Sequence, residues 1–226
     1  QRLAYDEIFS TFLVNSEIRK KIKKIKKKRK KINFNLQNNL INKLSFSLTN
    51  DQLNSLKQIN RDLSNSTKMF RLLQGDVGSG KTIIALLSAY NTINSGYQVA
   101  FMAPTEILAR QHYNLAKEIF PKNKKIELIS GKSNYKNKKI ILEKLKNSKI
   151  DIIFGTHAIF QKKVTYKKLG LIIIDEQHKF GVNQRKKLSD KGGDDCDVLL
   201  MTATPIPRTL TCLLYTSPSP RDTLLS

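Results

Sequence analysis

The chain has 226 residues, 39% of them apolar, which is enough for a core of its own and too many for a disordered tract. Lys and Arg number 41 against 18 Asp and Glu, a net charge of +23 that points to a polyanionic partner, although the abundance of Lys, Asn and Ile also fits a genomic base bias. No apolar run approaches the ~18 residues of a membrane span, no secretory leader opens the chain, and Cys196 and Cys212 lack metal or disulfide spacing, so a reducing cytosol is expected.

The first residue is Gln1, not Met, which leads us to expect a fragment of something longer. No Gly or Pro precedes Gly75, so long helices are predicted over the first third. Tyr5, Ile8, Phe9 and Phe12 fall at i, i+3, i+4, i+7, and Ile18, Ile22 and Ile25 continue a stripe at helical period. Among those isoleucines, residues 20–31 hold ten Lys or Arg in twelve positions. That run reads equally as a solvated helix face or linker and as a stripe lying beside nucleic acid. Asn33, Asn35, Asn38 and Asn39 then mark a polar break, with a short helix carrying Leu36, Leu40 and Leu44.

From Phe70 onward apolar runs alternate with helical stretches, an α/β rhythm. Strands are predicted at Phe70–Gln74, Gln98–Ala103, Lys125–Ser130, Asp151–Gly155, Leu171–Ile174 and Val198–Thr202, with helices over 81–94, 106–119 and 137–147. Strands this apolar imply a mainly parallel sheet covered on both faces. Between the first of them and its helix lies Gly75-Asp76-Val77-Gly78-Ser79-Gly80-Lys81-Thr82, which fits G-x-x-x-x-G-K-[ST]. In such a loop backbone N–H groups wrap the phosphates, Lys81 reaches the β/γ oxygens and Thr82 offers a hydroxyl to Mg²⁺. The run Leu171–Ile174 delivers Asp175-Glu176-Gln177-His178, where Asp175 is suited to hold hydrated Mg²⁺ and Glu176 to take a proton from an attacking water. ATP and Mg²⁺ are therefore the expected ligands.

A GTPase would carry Asn-Lys-x-Asp, yet Asn42-Lys43, Asn123-Lys124 and Asn137-Lys138 all lack the final Asp. Three further strings follow predicted strands, where ligand loops of an open α/β sheet converge: Ala103-Pro104-Thr105-Glu106-Ile107-Leu108-Ala109, Gly155-Thr156-His157 and Thr202-Ala203-Thr204-Pro205. Their positions suit contacts to a DNA backbone and coupling. With these strings assembled, the chain resembles the superfamily-2 helicases, and among them the bacterial RecG family of branched-DNA helicases, over about residues 1–210.

The resemblance implies a recombinase-like P-loop lobe. Residues 46–52 look like the adenine-reading segment with Gln52 at the base, and Gly75–Thr82 like motif I. Met102–Tyr113 resembles motif Ia and Gly155–Gln161 motif Ib; in the family these loops touch DNA, which assigns that role to Pro104, Thr105, Arg110, Gly155, Thr156 and His157. Asp175–His178 is similar to motif II, with Gln177 and His178 beside the γ-phosphate, and Met201–Leu210 looks like motif III, with Thr202 and Thr204 coupling hydrolysis to DNA. The transcription-repair coupling translocases share several of these strings but tend to Glu at the position of Gln177. His112, His157 and His178 are never spaced i, i+4, so a metal triad is not expected, and a packed core histidine remains the plain alternative for each. Arg208 is expected to be a structural or coupling residue, since the resemblance places the family's arginine finger in a later motif.

A helicase motor needs a second lobe, and only 22 residues follow Thr204. We therefore expect a basic helical extension over 1–45, one motor lobe over 46–210, and a tail over 211–226 whose Ser/Thr/Pro composition departs from the family and suggests non-native read-through. What the resemblance implies for the parent protein is ATP-driven remodelling of branched or duplex DNA, such as stalled forks and Holliday junctions, in a bacterial cytoplasm near the nucleoid. Two other classes remain open: a nucleic-acid-binding module that uses only its basic helix, and a regulatory ATPase that does not touch DNA.

Overall fold

The computed structural model describes residues 25–129, 135–161, 163–175 and 193–203. Its centre is a six-stranded sheet of β1 (Phe70–Gln74), β2 (Gln98–Met102), β3 (Ile126–Ile129), β4 (Ile152–Gly155), β5 (Leu169–Ile174) and β6 (Asp197–Thr202). The strands lie in the order β1-β6-β5-β2-β4-β3, and every pairing is parallel. All six fall on predicted strands, the first with the predicted ends and the others with one or both ends shifted by one or two residues. The helices are α1 (Phe34–Ile41), α2 (Asn50–Ser64), α3 (Lys81–Asn94), α4 (Glu106–Ile119) and α5 (Tyr135–Lys146).

The inner strands are mainly apolar because both faces of the sheet are covered there. Successive side chains alternate, so Val99, Phe101, Leu171 and Ile173 join one core with α1–α4, while Ala100, Met102, Ile172 and Ile174 join a second core with Leu145, Ile150 and Ile159 on the other side. Helix α3 is buried from Ile83 to Ile93, pressed between the sheet and α1 and α2. Some of its polar atoms are paired inside, while Asn91 Oδ1 and Asn94 Nδ2 are buried without a hydrogen-bond partner. Asn91 donates to Gln37 Oε1 at 2.7 Å and to Asn60 Oδ1 at 2.8 Å, and Asn60 donates to Gln37 Oε1 at 2.6 Å, so three amides join three helices.

The start of the described chain differs from the expected helix. From Ile25 to Asn33 no helix forms, and the isoleucine stripe does not run through Ile25. The backbone instead bonds sideways: Lys68 N–H donates to Ile25 O, Lys27 N–H to Ser66 O and Lys30 N–H to Leu63 O, with an antiparallel bridge between Lys26 and Thr67. Tertiary partners have displaced the local i to i−4 pattern. In the short helix α1, Leu40 is buried beside Gln37, whereas Leu36 is exposed and Leu44 lies past the helix end, packed on the core.

The basic run is also not one uniform face. Lys27 and Lys30 are buried, and both donate to Asp197 Oδ2, at 2.5 and 2.7 Å. Lys27 further donates to Asp62 O and Leu63 O, and Lys30 to Asp195 O. Burial pushes the Lys27 ammonium below its usual range, and the neighbouring Lys30 adds to this, against the attraction of Asp197. Lys26, Lys28, Arg29 and Lys31 face solvent. Their replacement by Gln should weaken DNA binding and reduce the log–log salt slope by about 0.9 for each phosphate no longer neutralised, with the melting temperature unchanged. A salt series of DNA-binding titrations checks this, and an unchanged slope would mark those side chains as a solvated face. Including Lys27 in such a set would instead test folding.

Candidate nucleotide-binding site

In a parallel sheet all strand C-termini share one edge, and there the strand order sorts the candidate residues. The loop Gly75–Gly80 leaves β1, Thr202 ends β6, Asp175 follows β5, Pro104 and Thr105 follow β2, and Thr156 and His157 follow β4. Four strand spacings, about 19 Å, separate β1 from β4. The phosphate-loop residues therefore occupy one side of the edge and the residues of the motif Ia and Ib strings the other.

The loop turns directly into α3. Gly80 caps the helix at φ 81°, a conformation that favours glycine, and its open Cα face lies against Gln52 Nε2. Gly75 N–H donates to Thr202 O at 3.4 Å, tying the loop's first residue to the end of β6, and Ser79 N–H donates to Asp76 O at 3.1 Å. Lys81 Nζ donates to Gly75 O at 2.6 Å and to Asp76 O at 2.7 Å, with Ser79 Oγ at 3.4 Å, which holds the ammonium within the curve of the loop. Asp76, Val77, Gly78 and Ser79 are exposed, while Lys81 and Thr82 are half-buried in the first turn of a helix that has no acidic residue there. A helix start of that kind favours an anion.

Gln52 lies beside this loop through a capping box at the start of α2. Its Oε1 accepts from Thr49 N–H at 2.9 Å, Thr49 Oγ1 accepts from Gln52 N–H at 3.3 Å, and Gln52 Nε2 donates to Ser79 O at 2.9 Å. One amide thus fixes the helix start and touches the phosphate loop. It keeps a second N–H and a second lone pair for another partner.

Asp175 is 9% exposed. Its N–H donates to Met102 O at 2.9 Å, and its Oδ2 lies 2.8 Å from Nε2 of His112 on α4. The His112 ring packs against Phe101 with centroids 4.8 Å apart. This contact bridges 63 positions, and nothing in local spacing announces it; sequence reasoning missed it.

On the far side of the edge, Thr105 caps α4 by accepting from Leu108 N–H at 3.2 Å, which leaves its own hydroxyl proton free to donate. Arg110 is exposed on α4, Pro104 is half-buried, and Ala103 N–H donates to Gly155 O at 2.9 Å, joining the two loops. A Cβ on Gly155 would lie 2.5 Å from Ile159 and 2.9 Å from Ile129 O. Thr156 O accepts from Ile159 N–H as the chain enters the short 3-10 turn His157–Phe160, and His157 is exposed. Glu176, Gln177, His178 and Thr204 lie outside the described residues, as do Arg208 and the tail. No helix among the described residues is long and apolar enough to cross a membrane.

The profile of the DEAD/DEAH box helicases matches residues 47–212. An ATP-dependent DNA helicase RecG of Borreliella burgdorferi is 48% identical over 214 residues, covering 94% of this chain and 31% of the relative. The RecG of Aquifex aeolicus is 45% identical over 217 residues, covering 95% and 27%. A solved structure of RecG bound to a three-way DNA junction superposes with a TM-score of 0.80 at 42% identity, over 95% of this chain and 29% of that one. The chain thus spans less than a third of the length of these RecG relatives.

Proposed function

The chain belongs to the DEAD/DEAH box helicase family, and on that premise we propose that it is the first motor lobe of an ATP-driven helicase that remodels branched DNA, including stalled forks and Holliday junctions. The observation that carries this reading is the shared edge: Lys81 in its loop, Thr202 bonded to that loop, and Asp175 at the end of β5 lie on one side, with the loops after β2 and β4 beyond them.

In this reading the N–H groups of Gly75–Thr82 surround the phosphates and Lys81 Nζ exchanges its loop carbonyls for β/γ oxygens. Gln52 offers its remaining N–H and lone pair to adenine. Thr82 and Asp175 supply a hydroxyl and a carboxylate, hard oxygen donors of the kind Mg²⁺ takes. Bound there, Mg²⁺ would neutralise charge developing on the phosphates. Glu176 accepts a proton from the attacking water, and Gln177 and His178 respond to the γ-phosphate. Pro104, Thr105, Arg110, Gly155, Thr156 and His157 follow the DNA backbone, while Thr202 and Thr204 transmit the state of the nucleotide to it. The charge that develops in the transition state needs a donor from a second lobe, as in other phosphoryl-transfer motors. With DNA as its partner, the motor would work in the cytoplasm, on the nucleoid.

The test compares this chain with a protein extended to the length of its relatives, in ATPase and fork-regression assays. The extended protein should hydrolyse ATP faster when DNA is added and should regress forks. The lobe by itself should bind Mg-ATP yet leave forks unchanged, with turnover lower by ~10³–10⁵ for want of the second-lobe donor. Hydrolysis indifferent to DNA in the extended protein would refute the helicase reading in favour of a regulatory ATPase.

A further inference from the structure

We propose that His112 is a positioning residue for Asp175, and that through it helix α4 is attached to the carboxylate that holds the metal. The inference rests on the nucleotide-binding reading above and adds to it a residue outside the nucleotide loops.

Three observations carry it. The His112 Nε2 to Asp175 Oδ2 distance is 2.8 Å, with the two residues 8% and 9% exposed, so the bond is shielded from competing water. The Phe101 ring, 4.8 Å from the imidazole centroid, fills one side of it and restricts rotation away from the carboxylate. On the carboxylate's own side, the Asp175 N–H is bonded to Met102 O, which fixes the backbone from which the side chain extends. With Oδ2 held, the remaining oxygen has a defined direction. Metal-binding carboxylates owe their orientation to outer partners of this kind.

The second half of the inference concerns where His112 stands. It lies in α4, the helix whose first turn is capped by Thr105 and which carries the exposed Arg110. The contact joins the phosphate-loop side of the edge to the DNA-motif side at the β5–β2 boundary, where the two strands are paired. A shift of α4 against the sheet therefore moves the carboxylate as well.

The experiment measures nucleotide affinity of the full 226-residue chain by calorimetry over a Mg²⁺ series and in EDTA, for wild type, His112→Phe and His112→Gln. Phenylalanine retains a ring against Phe101 without a donor, and glutamine places an amide N–H near the position of Nε2. The expected result is a Mg²⁺ midpoint raised about 10–100-fold in His112→Phe, with unchanged affinity in EDTA, and recovery in His112→Gln. Circular dichroism confirms that each variant is folded; if His112→Phe does not fold, His112→Leu takes its place. A Mg²⁺ midpoint within twofold of wild type in the donor-less variant overturns the proposal, as does equal impairment of His112→Gln. Wild-type chain that binds no nucleotide overturns the nucleotide-binding reading itself, and the role of His112 with it.

Discussion

Asp197→Ala should lower the free energy of unfolding by about 3–5 kcal/mol. Both oxygens of this fully buried carboxylate are in use: Oδ2 accepts Lys27 and Lys30, and Oδ1 accepts Met69 N–H at 2.6 Å. Removing it leaves two buried ammonium groups and a backbone N–H without their anionic partner. Against a typical domain stability of about 5–15 kcal/mol, that loss is large enough to leave part of the population unfolded. Urea denaturation monitored by circular dichroism measures it. The triple replacement of Lys27 and Lys30 by Met and of Asp197 by Leu should recover the part of the loss that comes from the unpaired ammonium groups, while Met69 N–H stays without its acceptor. A single Asp197→Ala variant within about 1 kcal/mol of wild type would show that water reaches the lysines and that the triad holds little.

Lys81→Ala should weaken Mg-ATP binding by about 1.5–3 kcal/mol, roughly 10–150-fold in Kd, the value of a charge-assisted hydrogen bond to an anion. The unliganded protein should melt at nearly the same temperature. The carbonyls of Gly75 and Asp76 that Lys81 holds belong to a half-buried or exposed loop and can turn to water instead. Isothermal calorimetry gives the affinity and differential scanning calorimetry the stability. Equal ATP affinity in the two proteins would remove the loop Gly75–Thr82 from the nucleotide site. A fall in melting temperature comparable to that of a core substitution would mean that Lys81 acts as a structural tie.

The sheet was legible in the sequence because it is buried on both faces. Runs such as Leu171–Ile174 are apolar at every position, and nothing but a covered parallel strand accounts for several of them separated by helical stretches. The loop from Gly75 was equally legible, since Gly80 must adopt a positive φ and few sequences place a glycine, a lysine and a hydroxyl together at a strand–helix junction. What could not be read were contacts between distant, ordinary residues. In sequence Lys27 and Lys30 look like the other members of a basic run; only the carboxylate of Asp197, 170 positions from Lys27, distinguishes them. Gln37, Asn60 and Asn91 are polar residues of three different helices whose amides meet only after packing. His112 belongs to this class, and periodicity assigns it to a buried helix face without naming the carboxylate it bonds.

The order of strands also sets the order in which a nascent chain can acquire its parts. Among the described residues β1, which leads into the phosphate loop, lies at the sheet margin with β6 as its one neighbour, Phe70 opposite Val198. At about 5–20 residues per second, a ribosome that has made β1 needs on the order of ten seconds to make the strand beside it. Meanwhile β2, β4 and β5 pair through shorter connections, so the half of the sheet bearing the motif Ia and Ib loops can assemble first. The proposed nucleotide loop gains its tie to Thr202 only when residues 197–202 arrive, so a site that depends on that tie would form late, and until then the apolar Leu72 and Leu73 of β1 lack their strand partner.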